Sequence, residues 1–253
     1  MSDRIVISCM DRRLNQKLEQ EYNDGNTIFV RNAGGCPSGA KNTLKRLMEE
    51  NEVKEIVILP HTDCGAMGAV FKCMKEGEKF DAEVTEKLVK NFEGKFLHTR
   101  KQLEFEENPR QCLEEMKSIG NELPKYDEKV VGISVKLVEL QPTAHQSSTD
   151  NVIVLMSPST AKYSNTFLTE MNHSYCIQAD IEDSMASVKL ATAANGLKLA
   201  KIYITETNSV EQKKMLNAIT EFKAKLGLGQ LQVFLVESGK VTNVIEAKKK
   251  IKG

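Results

Sequence analysis

The sequence predicts an α/β fold in which mainly parallel β-sheets are flanked by helices, built as two tandem copies that form a pseudo-dimer. Three observations support this prediction: short apolar runs rich in Val and Ile, helical stretches between them, and a second half that repeats the rhythm of the first. Strands buried on both faces are continuously apolar rather than alternating. The order strand–helix–strand favours a parallel sheet covered by helices.

The first half carries four predicted strands separated by helical segments. The strands are predicted at 4–9, 27–30, 55–60 and 129–135. Helices are predicted at 14–22 and 38–50, where apolar residues recur on one face. A helix-rich stretch from about 65 to 123 follows the third strand, and its part from about 72 onward contains no motif that we recognise. This half is therefore expected to be the longer one.

The second half begins after a polar, turn-rich segment at 140–150, which predicts a linker. Strands are then predicted at 152–156, 175–177, 201–205 and 231–236, and helices at 161–171, 184–194 and 210–226. An offset of 147 or 146 residues aligns apolar positions of the two halves, such as Ile5 with Val152 and Ile58 with Ile204. We therefore predict two related domains, residues 1–145 and 146–253. The alternative is that the two halves of any α/β chain share a similar rhythm.

Composition restricts the class of partner. The 253 residues include 35 Lys+Arg and 35 Asp+Glu, so the net charge is zero, which disfavours general binding to nucleic acid or to anionic membranes. The N-terminus leads directly into a strand and lacks the layout of a signal peptide. The six cysteines are too sparse for a disulfide scaffold. We predict a cytoplasmic protein that acts on a small molecule, without a nucleic-acid or membrane partner.

Two segments at predicted strand ends carry residues with metal-binding chemistry. Cys9–Arg13 (CMDRR) ends the first strand, and His61–Gly65 (HTDCG) follows the third. Functional groups gather at the carboxyl ends of parallel strands, so Cys9, His61 and Cys64 would converge if these strands are neighbours. Two thiolates and one imidazole form a zinc set that leaves a fourth position open, as catalytic zinc requires. Buried free thiols are the alternative interpretation at this point.

These segments, with Arg31–Gly35 (RNAGG) between them, resemble the β-class carbonic anhydrases. That family has Cys-x-Asp-x-Arg, Arg-Asn-Ala-Gly and His-x-x-Cys-Gly after its first, second and third strands. The strings SCMD and HTDCG are similar to those of its compact prokaryotic branch, and the resemblance is strong over residues 3–70. It implies that Cys9, His61 and Cys64 bind Zn²⁺. It also implies reversible hydration of carbon dioxide to bicarbonate by a zinc-bound hydroxide.

The resemblance further implies that Asp11 and Arg13 form a dyad beside the metal. Asp11 would accept a hydrogen bond from the hydroxide, and Arg13 would hold Asp11 through two parallel bonds. If that pairing fails, Asp11 could instead close onto the zinc, and the sequence does not decide between these forms. Gly34 and Gly35 predict a tight turn after the second strand. Arg31 and Asn32, which precede that turn, either line the pocket or hold the turn.

The second copy lacks every one of these groups. In the alignment, Met156, Pro158 and Thr160 replace Cys9, Asp11 and Arg13, while Thr207 and Val210 replace His61 and Cys64. The second copy is therefore expected to keep the fold without a zinc site. Members of the family work as dimers, so this chain would be a covalent pseudo-dimer with one zinc. Whether such chains associate further stays open.

Three other functions compete with carbon dioxide hydration. The same site could hydrolyse carbonyl sulfide or carbon disulfide, because the same nucleophile attacks either electrophile. A zinc-binding pseudoenzyme with a structural role is a second alternative, although that role has no need of Asp11 and Arg13. A thiol redox protein is disfavoured because Cys9 and Cys64 are not in a Cys-x-x-Cys arrangement.

Overall fold

A computed structural model of the chain describes residues 2–79, 89–141, 151–156, 174–194, 199–205, 209–225, 230–237 and 240–243. Its strands are β1 (Arg4–Cys9), β2 (Thr27–Asn32), β3 (Glu55–Leu59), β4 (Gly132–Val135), β5 (Asn151–Met156), β6 (Tyr175–Gln178), β7 (Leu199–Ile204), β8 (Gln232–Glu237) and β9 (Lys240–Asn243). Its main helices are α1 (Asn15–Tyr22), α2 (Lys41–Glu50), α3 (Gly65–Glu76), α4 (Asn108–Gly120), α5 (Ile181–Ala194) and α6 (Ser209–Lys225).

The strands form a single sheet in the order β4-β3-β1-β2-β6-β5-β7-β8-β9. Neighbouring strands are parallel except where β2 meets β6 and where β8 meets β9. The predicted fold class, a mainly parallel sheet flanked by helices, is therefore confirmed. The first four strands of each half also have the same order. Numbered within its own half, each set reads 2-1-3-4 from the central seam outward, and the second half adds β9 as a fifth strand at the outer edge.

The strands of the first half are apolar because both faces of the sheet are covered. Ile5 and Ile7 of β1 pack into one hydrophobic cluster, while Val6 between them packs into another on the opposite face. The cluster that contains Val6 also includes Ile153 and Ile177 of the second half. One hydrophobic core therefore continues across both halves of the sheet.

Polar contacts also join the halves at the seam between β2 and β6. Arg31 pairs with Gln178 across the two antiparallel strands. Behind the sheet, the Thr43 side chain and backbone N–H of α2 donate to Asp183 Oδ2 of α5, at 2.7 and 3.1 Å. The Asp180 N–H donates in turn to Thr43 Oγ1, at 2.8 Å. The seam is thus held by both backbone pairing and buried side chains.

The structure differs from the sequence prediction in a few elements. Strand β9 was not predicted, because four residues of mixed polarity (KVTN) carry too weak a pattern. The predicted helix at 161–171 and most of the linker at 140–150 lie outside the described residues. The helix-rich stretch contains a short helix at Arg100–Gln102 and a π-helical turn at Leu103–Glu107 that lead into α4.

The π-helical turn has a local cause in the sequence. The Asn108 N–H donates to the carbonyl of Leu103, five positions earlier. Pro109 follows, and a proline has no N–H to donate and sterically opposes the carbonyl four residues before it. The extra residue in the turn accommodates that proline. Among the helices described, none is long and apolar enough to cross a membrane.

Candidate metal centre

The three predicted ligands come together at the carboxyl ends of neighbouring strands. Strands β1 and β3 are adjacent and parallel, with Ser8 opposite Leu59, so Cys9 ends one strand beside the loop that carries His61 and Cys64. One ligand atom from each of the three residues lies within 4.8 Å of the others. All three are buried, at 5%, 1% and 0% relative exposure. This group could hold a metal ion.

The His61 ring is oriented as a metal ligand needs to be. Its Nδ1 lies 2.8 Å from the carbonyl oxygen of Thr62, a contact in which a protonated Nδ1 donates. That tautomer leaves a lone pair on Nε2, which is buried and has no hydrogen-bond partner among the described residues. A buried ring nitrogen without a partner costs free energy unless something binds it. The carbonyl contact is the kind that fixes the tautomer of metal-binding histidines.

The electrostatics of the two thiols also suit a cation. The neighbouring Cys64 thiol holds the pKa of Cys9 well below its usual range, and the charge of His61 acts in the same direction. The pKa of Cys64 is raised well above its usual range by the adjacent Cys9 and by burial. Burial lowers the pKa of the His61 ring, but Cys9, Asp11 and the Thr62 carbonyl together raise it above its usual value. Binding of a divalent ion would favour the deprotonated form of both thiols.

Asp11 and Arg13 form the predicted dyad. Arg13 donates from Nε to Asp11 Oδ1 at 3.0 Å and from Nη2 to Oδ2 at 2.7 Å, and the Arg13 N–H adds a third bond at 2.9 Å. Burial alone would raise the pKa of Asp11, but the hydrogen bonds and charge of Arg13, together with the charge of His61, lower that pKa. Asp11 is therefore a carboxylate at neutral pH, with both oxygens paired to Arg13.

The segment Arg31–Gly35 supports the strand end that carries Cys9. The fully buried Arg31 donates to the Cys9 carbonyl at 3.0 and 3.1 Å and to the Asp11 carbonyl at 2.9 Å. Gly35 has φ +65°, and a Cβ there would lie 2.9 Å from the Cys9 nitrogen. The Asn32 side chain closes the turn by donating to the Cys36 carbonyl and accepting from the Cys36 N–H. Of the two roles left open by the sequence, the structure therefore favours holding the turn and the ligand loop.

Residues from the second half lie against the same loop. The Cys176 N–H of β6 donates to the Met10 carbonyl at 3.1 Å. The guanidinium carbon of Arg12 lies 5.8 Å from the centre of the Tyr175 ring. Burial and the charge of Asp11 together raise the pKa of Tyr175. The second half thus forms part of the wall beside the dyad.

Three charged residues at the site were missed by the sequence analysis. Glu104 accepts from the Asp63 and Cys64 N–H groups, and Arg100 donates to Glu104 and to the Cys64 carbonyl. Asp63 lies between the ligands in the HTDCG segment, but Glu104 and Arg100 are about forty positions further on. Their only sequence signal is a four-residue spacing of opposite charges, which is common on exposed helices.

The chain is thus an α/β protein with a buried Cys₂His centre at the carboxyl ends of two parallel strands. This class of site is typical of zinc enzymes. Residues 4–123 match the family model described as carbonic anhydrase. This part of the chain is therefore similar to the carbonic anhydrases, and its motifs resemble those of the β class.

Individual relatives share limited sequence identity with this chain. A carbonic anhydrase of Pseudomonas aeruginosa is 32% identical over 76 residues, which make up 27% of this chain and 34% of the relative. The chain therefore spans about a third of the length of that curated relative. Among solved structures, carbonic anhydrase from Streptococcus mutans is 24% identical over 55% of this chain and 76% of its own, with a TM-score of 0.35. A carbon disulfide hydrolase in its apo form is 21% identical over 55% and 74%, with a TM-score of 0.32.

Proposed function

We propose that this protein hydrates carbon dioxide reversibly to bicarbonate at a zinc ion held by Cys9, His61 and Cys64. The observation that carries the proposal is the juxtaposition of three buried ligand atoms with an Arg-paired carboxylate. The orphaned His61 Nε2 and the acidic Cys9 thiol fit a divalent cation. Zinc, when bound there, supplies the Lewis acidity that lets water act as a nucleophile near neutral pH.

The residues of the chain have separate tasks in this proposal. Asp11, ionised at neutral pH, accepts a hydrogen bond from the nucleophilic water and so fixes the direction of its lone pair. Arg13 fixes Asp11 through paired bonds and keeps it from moving toward the ligands. Arg31 holds the carbonyls of Cys9 and Asp11, which maintains the loop geometry.

The second half, residues 146–253, is proposed to be a degenerate copy of the first, residues 1–145. The shared 2-1-3-4 strand order and the antiparallel seam support a pseudo-dimer related about the Arg31–Gln178 pair. If these two residues correspond, the pairing registers equate Met156 with Ser8 rather than with Cys9, so the alignment of the first strand moves by one residue. The counterpart of Cys9 becomes Ser157, and the second copy still lacks a thiolate there.

We also propose that the protein is cytoplasmic and that it acts on a small molecule. All six cysteines are free thiols, which supports a reducing, cytoplasmic location. A small linear molecule stays the expected substrate, and further association of the pseudo-dimer stays a prediction to be tested by the mass of the particle in solution.

The proposal is tested with the purified full chain loaded with zinc. We expect carbon dioxide hydration, followed by stopped-flow pH change, to track the zinc content and to disappear when a chelator removes it. Zinc binding without hydration, but with sulfide release from carbonyl sulfide or carbon disulfide, would instead assign those substrates. Zinc binding with neither activity would contradict the proposal and support the pseudoenzyme.

A further inference from the structure

The loop that carries His61 and Cys64 has an unfavourable backbone at its centre. Asp63 has φ +53°, the left-handed region that non-glycine residues rarely adopt. Asp63 separates the two ligands, so its conformation sets the position of Cys64 relative to His61. Such a conformation persists only where its surroundings enforce it.

A single carboxylate holds the backbone on both sides of this strained residue. Glu104 Oε2 accepts from the Asp63 N–H at 2.9 Å, and Glu104 Oε1 accepts from the Cys64 N–H at 3.0 Å. Glu104 is 5% exposed and lies in the π-helical turn at Leu103–Glu107. Turns of this kind recur at functional sites because they re-aim side chains.

Two arginines complete a continuous chain of charges around the loop. Arg100 donates to Glu104 Oε1 at 2.9 Å, to the Cys64 carbonyl at 3.1 Å and to Asp63 Oδ1 at 3.4 Å. Arg13 donates to Asp63 Oδ2 and to its carbonyl, each at 2.9 Å. Because Arg13 also holds Asp11, charged pairs run without interruption from the dyad to Glu104.

We propose that Glu104 is a positioning residue that sets the geometry of the Cys64 ligand and, through Asp63 and Arg13, of the Asp11 carboxylate. The inference rests on the proposed zinc site. The Asp63 and Cys64 N–H groups reach different oxygens of Glu104, and a carboxylate provides two such acceptors whereas an amide provides one. Mutation of a residue that hydrogen-bonds to a metal ligand and orients it typically weakens metal binding by about 10- to 100-fold.

The test compares Glu104→Gln with Glu104→Asp and with a matched control, Glu107→Gln. Glu107 lies in the same π-helical turn, is 8% exposed, and pairs with Lys95 and Arg110 rather than with the loop. Zinc affinity is measured on folded protein by competition with a chelator, and the absorption spectrum is recorded after cobalt substitution.

We expect Glu104→Gln to weaken zinc binding about 10- to 100-fold and to alter the cobalt spectrum, with Glu104→Asp intermediate. The Glu107→Gln control should stay within about threefold of wild type and keep the cobalt spectrum. A folded Glu104→Gln protein with wild-type affinity and spectrum overturns the inference. If Glu104→Gln does not fold, Arg100→Met decides: an unchanged affinity and spectrum in that variant also overturn it.

These readouts separate the inference from the proposed function. A wild-type chain that binds zinc but does not hydrate carbon dioxide contradicts the function, while the affinity and spectra still test Glu104. A chain that binds neither zinc nor cobalt contradicts both.

Discussion

At the scale of single residues, the site depends on Asp11 being a carboxylate that is held in place. Three hydrogen bonds from Arg13 determine its direction, and they also lower its pKa. Asp11 is not one of the three residues that could hold the metal. Metal binding and turnover are therefore separable at this residue.

We predict that Asp11→Ala keeps zinc but loses turnover by at least about 10²-fold, because the nucleophile is no longer oriented. Hydration rate per bound zinc is the measurement. Asp24→Ala is the control, since Asp24 is a partly exposed acid paired with Arg4, remote from the ligands. A variant with full zinc and full turnover would remove Asp11 and Arg13 from the mechanism.

A second residue-scale prediction concerns the close approach at Gly35. Gly35→Ala places a Cβ 2.9 Å from the Cys9 nitrogen, whereas Gly25, with a similar positive φ, has nothing within 4 Å. Both alanines incur the left-handed strain of about 1–2 kcal/mol. We expect Gly35→Ala to lower the free energy of unfolding further than Gly25→Ala and to weaken zinc binding. Equal effects in urea titrations of the two variants would show that this approach does not constrain Cys9.

The sequence identified the three candidate ligands that the structure brings together, but not the residues that support them, for a physical reason. Cys9, His61 and Cys64 follow strands whose apolar character is local, so their convergence follows from the order of the strands. Glu104 acts on the same loop from a helical insert, and only the packing of that insert brings it there. A contact that depends on tertiary packing produces no short-range pattern in the sequence from which it could be predicted.

At the scale of elements, the seam between α2 and α5 contains a buried carboxylate. Burial raises the pKa of Asp183, although its bonds from Thr43 lower it in part. Asp180 and Glu182 raise it further by repulsion, and Arg46 faces Asp180 at 3.0 Å. A raised folded pKa means that the folded protein binds a proton more tightly than the unfolded chain. Stability contributed by this group therefore falls as pH rises above about 4.

Asp183→Asn should remove this loss of stability, because an amide does not ionise as pH rises. Its oxygen can still accept both bonds from Thr43. We expect its free energy of unfolding at pH 7 to exceed that of wild type by on the order of 1 kcal/mol, and the difference to shrink as pH falls. Paired urea titrations at several pH values measure it. A variant that is less stable than wild type at pH 7 would show that the carboxylate charge stabilises the seam.

Strand boundaries were predicted where the strand is continuously apolar and missed where polar residues extend it, as Arg31 and Asn32 extend β2 beyond the predicted 27–30. Strand β1 is apolar on both faces, and its predicted bounds at 4–9 are those observed. Strand β9 pairs only at the outer edge of the sheet, with β8, and carries three polar residues in four. The pairing of β2 with β6 depends on one residue pair and the contacts behind it, which no local pattern records.

At the scale of the whole molecule, the two halves share one sheet and one hydrophobic core. Apolar residues of both halves meet in the same cluster, and β6 lies against the loop that follows Cys9. The second half therefore contributes to stability and to the wall of the site.

A fragment of residues 1–145 tests this dependence. We expect it to expose the apolar surface that the second half covers, and so to dimerise or aggregate, and to lose most hydration activity. Light scattering and the hydration assay are the measurements. A fragment that is monomeric, well folded and fully active would contradict the pseudo-dimer.

The most direct test of the central claim is the number of zinc ions bound per chain, counted by elemental analysis after dialysis. The account predicts one in the wild-type protein and none in Cys64→Ser, because the only Cys₂His group among the described residues is Cys9, His61 and Cys64. Two zinc ions per chain would show that the second half also binds metal. A wild-type chain without zinc would contradict the account.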